Sequence, residues 1–295
     1  MIWNSGWRLA AAASNNGCLG LIGAGSMYPE ILRENIQKCK AATNKSFGVN
    51  VPLLYPDIDK VMEIIVQEEV KIVFTSAGNP ATWTSHLKQH GITVVHVIAN
   101  TKFAIKAMEA GVDALVAEGF EAGGHNGKEE TTTLCLIPLI RECTTLPLIA
   151  AGGIGSGKAM FACMALGADG VQVGSRFAIS EESSSHPAFK QRVLETGDGG
   201  TQLMLKKLAP VRLIKNKFFE QVKAAEEAGA GVDELKQLLG RARAKKGMFE
   251  GDLEEGELEI GQVAASFKKI EPVSDIVSEI VNEYNRLAIQ NFQVF

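Results

Sequence analysis

Residues 121–127 read Glu-Ala-Gly-Gly-His-Asn-Gly and set one of the chain's five histidines among small neighbours. An imidazole titrates near neutral pH, so a histidine facing a bound molecule can donate or accept a proton there. Glycines at 123, 124 and 127 would clear the volume that a planar ligand occupies. The plainer alternative is that His125 caps a helix beginning near Thr133. His86, His90, His96 and His186 lack such neighbours and read as structural.

Two more stretches suit an anion: Ala151-Gly-Gly-Ile-Gly-Ser-Gly157 and Val173-Gly-Ser-Arg176. Glycine lets backbone N–H groups approach a phosphate closely, and a helix starting after Gly157 would add its positive end. Either stretch alone is equally well a tight turn without a ligand; the pair together favours a phosphate. Asn50, Thr75 and Glu118 stand at or near the ends of apolar runs, where polar side chains can line a pocket mouth with His125.

These residues need a scaffold that brings loop ends together. Short apolar, β-branched runs at 19–22, 47–51, 72–75, 93–97, 114–118, 148–151 and 170–173 alternate with segments of helical period at 29–40, 58–69, 101–110 and 158–166. Strand, helix, strand at this spacing means right-handed βαβ units and a parallel sheet. Seven units fall one short of the (β/α)8 TIM barrel, and the reactive loops of such a barrel follow the C-terminal ends of its strands. Residues 7–16 read as a first helix with no strand before it, so the expectation is a barrel whose first strand is missing from this chain and whose sheet edges are unpaired.

After Phe177 the pattern turns helical and charged, with helices expected at 218–228 and 232–243, an acidic solvated turn at 250–257 and a last barrel helix at 272–287. The expected division is a barrel over 1–199, a small inserted helical domain over 200–257 and a C-terminal segment over 258–295 that returns to the barrel.

A length of 295 residues, 46% of them hydrophobic, suffices for a large core. The net charge of −4 provides no overall basic field for nucleic acid or an anionic membrane. No apolar run reaches the roughly 20 residues that a membrane helix needs. Five dispersed cysteines without a CxxC pair fit reduced thiols and a cytoplasmic location.

The segments FGVN, TSAG, AEGFEAGGHNG, IAAGGI and GVQVGSRF, in that order, resemble the FMN-dependent family that joins type II enoyl-acyl-carrier-protein reductases to nitronate monooxygenases, also called 2-nitropropane dioxygenases. The resemblance spans nearly the whole chain and implies a (β/α)8 barrel with a small inserted domain. It implies FMN contacts at Met1, Asn50, Thr75, Glu118, Gly123, Gly152, Gly153, Gln172, Gly174 and Ser175, with His125 as the active-site histidine. Met1 matches the last residue of the Gly-Gly-Met that ends the family's first strand; the two glycines are absent here.

Glu118 and the tail at 249–262 are similar to the reductase branch, which implies reduction of a trans-2-enoyl-acyl-carrier-protein by NADH or NADPH in fatty acid biosynthesis. The alternatives are a nitronate monooxygenase, which uses O2 without a nicotinamide, and a flavin- or ligand-binding remnant without turnover. An acyl carrier protein would need a basic dock, for which Lys206, Lys207, Arg212, Lys215 and Lys217 are the densest cluster, the alternative being an ordinary solvated face. No metal site is expected; a monovalent cation requirement and a homodimer stay open.

Overall fold

The computed structural model describes residues 2–289, so the contact expected of Met1 lies outside the described residues. Seven parallel strands form one curled sheet: β1 (Gly20–Gly23), β2 (Phe47–Pro52), β3 (Ile72–Ser76), β4 (Thr93–Ile98), β5 (Ala114–Glu118), β7 (Leu148–Ala151) and β8 (Gly170–Gln172). Between β5 and β7 the chain makes the two-residue strand β6 (Gly124–His125). The sheet neighbours follow chain order, as right-handed βαβ winding requires.

Helices α1 (Trp7–Asn15), α2 (Pro29–Ala42), α3 (Ile58–Gln67), α4 (Thr84–Gln89), α5 (Thr101–Glu109), α6 (Thr133–Cys143) and α7 (Gly157–Ala165) cover the outside. Alternate strand residues divide between two cores. Ile22, Val49, Val51, Val73, Val94, Leu115, Ala117 and Ala150 pack on the helices, while Phe74, Val95, Ala114, Val116 and Ala151 fill the interior of the curl. Burial on both faces is why these strands read as continuous apolar runs.

No described strand pairs with the outer edges of β1 and β8. The edge of β1 is nonetheless covered: Gly23 N donates to Ser5 O at 2.9 Å, and the Ser5 hydroxyl donates to Leu21 O. Trp3 and Asn4 are fastened on their other side by the hydroxyls of Ser184 and Ser183, which donate to their carbonyls. A short segment thus lies along the edge that the sequence pattern leaves open. Trp3 stacks near the Phe249 ring, at 5.5 Å between centroids.

After β8 come α8 (Ser175–Ala178), α9 (Pro187–Leu194), β9 (Thr201–Met204), β10 (Val211–Ile214), α10 (Lys217–Glu227), α11 (Val232–Leu239) and finally α12 (Val273–Ile289), which packs on α7 and α1. The inserted region carries two strands besides its helices; β9 and β10 pair antiparallel, and β10 pairs on its other edge with β6. The sheet is therefore shared between the insertion and the histidine loop.

The turn at 250–257 is not simply solvated. Glu255 pairs with Lys217 and Arg243, Asp252 with Lys246 and Glu250 with Lys245, and Glu257 is buried.

Candidate active site

The strand registers bring the polar residues together at one end of the curl. Glu118 stands level with Ala151 on β7, which stands level with Gln172 on β8. Ala151 belongs to the interior cluster, so Glu118 and Gln172 point inside with it. Asn50 is level with Phe74, another interior residue, and its side-chain amide donates to Phe74 O at 3.1 Å. Three of the expected residues thus share the inner face at the C-terminal ends of their strands.

Thr75 departs from this arrangement. It alternates with Phe74 and lies level with Val51 and His96, on the face turned toward the helices. Its hydroxyl meets His96 Nδ1 at 2.7 Å and is buried. The Thr75 hydroxyl is therefore turned away from the inner face where a flavin contact was expected of it. Burial pushes the His96 imidazole down to about 4, so the pair is neutral around neutral pH.

Glu118 has the opposite shift. Desolvation raises its carboxyl to about 7, which leaves a substantial protonated fraction near neutrality. Beside it Ala99, Phe120, Gly127 and Thr131 line a shallow, narrow recess.

Each glycine of the histidine loop is approached closely by other parts of the protein. A Cβ on Gly123 would lie 2.5 Å from Gly261 N, one on Gly124 would lie 2.5 Å from Glu259 Oε2, and one on Gly127 would lie 2.5 Å from Ala99 Cβ. Gly124 also has φ +74°. The segment Glu259–Gly261 therefore packs against Gly123 and Gly124, and Ala99 against Gly127. Leu213 on β10 bridges Glu259, while Val211 and Arg212 pair with His125 and Gly124, so Glu259 continues the same strand edge just past the histidine loop.

Glu259 is a residue that sequence reasoning passed over. Desolvation raises its pKa, and His125 opposes that shift electrostatically. Its neighbour Glu257 is pushed up to about 8 by burial and by Glu259. In sequence both lie in an acidic run that resembles a solvated turn; the only signal of burial is the alternation with Leu258 and Ile260.

His125 itself is exposed, and helix α6 has a different partner: the Glu121 carboxylate accepts from Thr133 N at 2.9 Å and from its hydroxyl at 3.0 Å. Asn126 anchors the loop, donating to Ala122 O and Gly124 O. Arg212, expected on a basic surface, is fully buried; it donates to Phe120 O and lies 4.4 Å over the Phe120 ring. It holds the loop from beneath. Lys206 pairs with Glu130, Lys207 donates to Ala230 O and Lys217 pairs with Glu255, so the expected basic cluster is largely engaged within the protein.

At the glycine turns, Gly152 has φ +97° and Gly153 φ +72°, conformations that side chains other than glycine resist. A Cβ on Gly153 would also press on Glu121 Cβ at 3.2 Å. After Gly174, the Ser175 hydroxyl accepts from Gly261 N at 2.9 Å. Arg176 turns away from the mouth; it is buried with Glu271, which it meets at 2.5 Å, and reaches the exposed Glu279 at 3.0 Å.

Gln172 Oε1 is buried and has no hydrogen-bond partner among the described residues. An interior carbonyl left so is costly unless a bound group donates to it, and a flavin ring carries an N–H donor. The Gln172 amide, the Asn50 amide and the glycine turns at 152–153 and 174 supply the polar groups that FMN needs, so the residues present fit the cofactor.

A family model described as nitronate monooxygenase matches residues 1–60 and 55–283. The chain is 28% identical to a (3aS,4S,5R,7aS)-5-hydroxy-7a-methyl-1-oxo-octahydro-1H-indene-4-carboxyl-CoA dehydrogenase of Mycobacterium tuberculosis, over 95% of this chain and 90% of that protein. It is 28% identical to a probable nitronate monooxygenase of Bacillus subtilis, over 94% and 91%. The structure superposes on that of FabK from Thermotoga maritima with a TM-score of 0.93 and 36% identity, covering 98% of this chain and 91% of that one.

Proposed function

We propose, from the premise that this chain belongs to the nitronate monooxygenase family, that it is an FMN-dependent reductase of trans-2-enoyl thioesters. The observation that carries this reading is the likeness to FabK, an enoyl-acyl-carrier-protein reductase of type II, at 36% identity against 28% for the probable nitronate monooxygenase. The dehydrogenase relative is likewise named for a thioester, one of coenzyme A.

Asn50, Glu118 and Gln172 would hold the flavin ring from the inner face, with the main chain of Thr75 at its edge. Gly123, Gly152, Gly153, Gly174 and Ser175 would border the rest of the cofactor, its phosphate against the two glycine turns. When bound, FMN supplies the transfer of hydride from NADH or NADPH to the β-carbon of the enoyl thioester. His125 then provides or orients the proton that the α-carbon gains, from a loop held in place by Arg212 and Asn126. The sum is enoyl thioester plus NAD(P)H plus one proton, giving saturated thioester and NAD(P)⁺. The thioester would be presented by an acyl carrier protein in fatty acid synthesis, in the cytoplasm.

A second reading, oxidation of alkyl nitronates with O2, is favoured by the family model and the Bacillus subtilis relative. Anaerobic stopped-flow separates the two. The proposal expects NAD(P)H to bleach the flavin and an enoyl thioester to restore its colour. Nitronate turnover in air without a nicotinamide, together with no reoxidation by thioester, would replace it with the second reading.

A further inference from the structure

One corner of the site is lined by apolar side chains that stand exposed among the described residues. Tyr28 is 80% exposed and Leu54 82%, with Tyr55 at 41% beside them. Tyr28 precedes α2, and Leu54 and Tyr55 form the turn after β2. These two loops are packed together, since a Cβ on Gly25 would lie 2.8 Å from Pro52 Cγ, and Tyr55 N donates to Pro52 O.

The patch shares the C-terminal rim of the sheet with the site: its two loops follow the neighbouring strands β1 and β2, and Asn50 lies on β2. The Tyr55 phenol is close enough to Tyr28 and to Glu259 for both to act on it electrostatically, and Glu259 acts in the same way on His125. Burial, then Glu259 and Tyr28, push the phenol up, so the ring stays uncharged. Exposed apolar groups clustered beside a site generally mark what the site binds.

We propose that Tyr28, Leu54 and Tyr55 form the wall along which the acyl chain of the substrate lies while its thioester end meets His125. This assignment rests on the enoyl-thioester reading and deepens it. Short alkyl nitronates would have almost nothing to lay against such a wall, whereas a medium or long acyl chain would cover it. Each methylene moved from water onto the wall improves binding by up to about fourfold.

The test uses the FMN-loaded enzyme with butenoyl, octenoyl and dodecenoyl coenzyme A, wild type against Tyr28→Ser/Leu54→Ser. In wild type, kcat/KM should rise steeply with chain length; in the double variant the dodecenoyl-to-butenoyl ratio should fall by at least tenfold. Calorimetric Kd values for the saturated thioesters should show the same loss of dependence without any turnover. Both positions are surface residues, and an unchanged melting temperature shows that the variant is folded. Parallel chain-length profiles in the two proteins overturn the assignment while leaving the reductase reading intact. Failure of wild type to reduce any enoyl thioester overturns both. Loss of dimerisation in the variant with its chain-length profile preserved would make the patch a contact between two copies and overturn the assignment.

Discussion

The clearest quantitative expectation concerns Glu118→Gln. The Glu118 carboxyl is raised from 4.5 to about 7 by desolvation. Below pH 4.5 the group is protonated in both the folded and the unfolded chain, and its ionisation has no effect on stability. Between pH 4.5 and 7 the unfolded chain releases the proton and the folded one retains it, so stability falls as pH rises through this window. The 2.5-unit difference corresponds to ~3 kcal/mol, at about 1.4 kcal/mol per unit. His96 works in the opposite sense, because its folded value of about 4 lies below the unfolded 6.5, so stability rises with pH between those limits.

In wild type the two slopes largely offset each other from 4.5 to 6.5. Glutamine keeps the shape and removes the ionisation. The variant should therefore gain ~3 kcal/mol on wild type between pH 4.5 and 8, whatever the fixed cost of the amide. Urea denaturation of flavin-free protein at half-unit pH intervals measures this directly; flavin is left out because a ligand of the folded state adds its own stabilisation. Glu257 and Glu259 titrate in both proteins and cancel in the difference. Parallel pH profiles for wild type and variant would show that Glu118 is not desolvated as described.

His125→Ala should retain FMN, seen in its absorbance spectrum, and lose turnover by roughly 10²–10⁴; near wild-type turnover would remove the imidazole from the chemistry. Gly123→Ala forces a methyl group into the main chain of Ile260 and Gly261, so a loss of about 1–3 kcal/mol in urea denaturation is expected. An unchanged midpoint would mean that the segment Glu259–Gly261 does not pack against the loop.

Much of the scaffold was legible in the sequence because its signals are local. Seven apolar runs separated by helical-period segments imply parallel βαβ winding, and the glycines at 152 and 153 sit where the backbone adopts positive φ. Asn50, Glu118 and Gln172 stand at strand ends, and strand ends converge in any curled parallel sheet. The face on which Thr75 lies was not legible: in Ile72-Val73-Phe74-Thr75 both faces are buried, so no polar alternation reveals which way the hydroxyl points. Nor could sequence show that Arg212 leaves its basic neighbours to lie under Phe120.

Only the tertiary structure decided what fills the space beside His125. The glycines at 123 and 124 announce a close approach, but the partner, Glu259 to Gly261, lies far along the chain and is brought there by the pairing of β10 with β6. Sequence determines where the backbone can be approached; which segment approaches it is fixed by long-range packing, because a missing side chain specifies a volume and not its occupant.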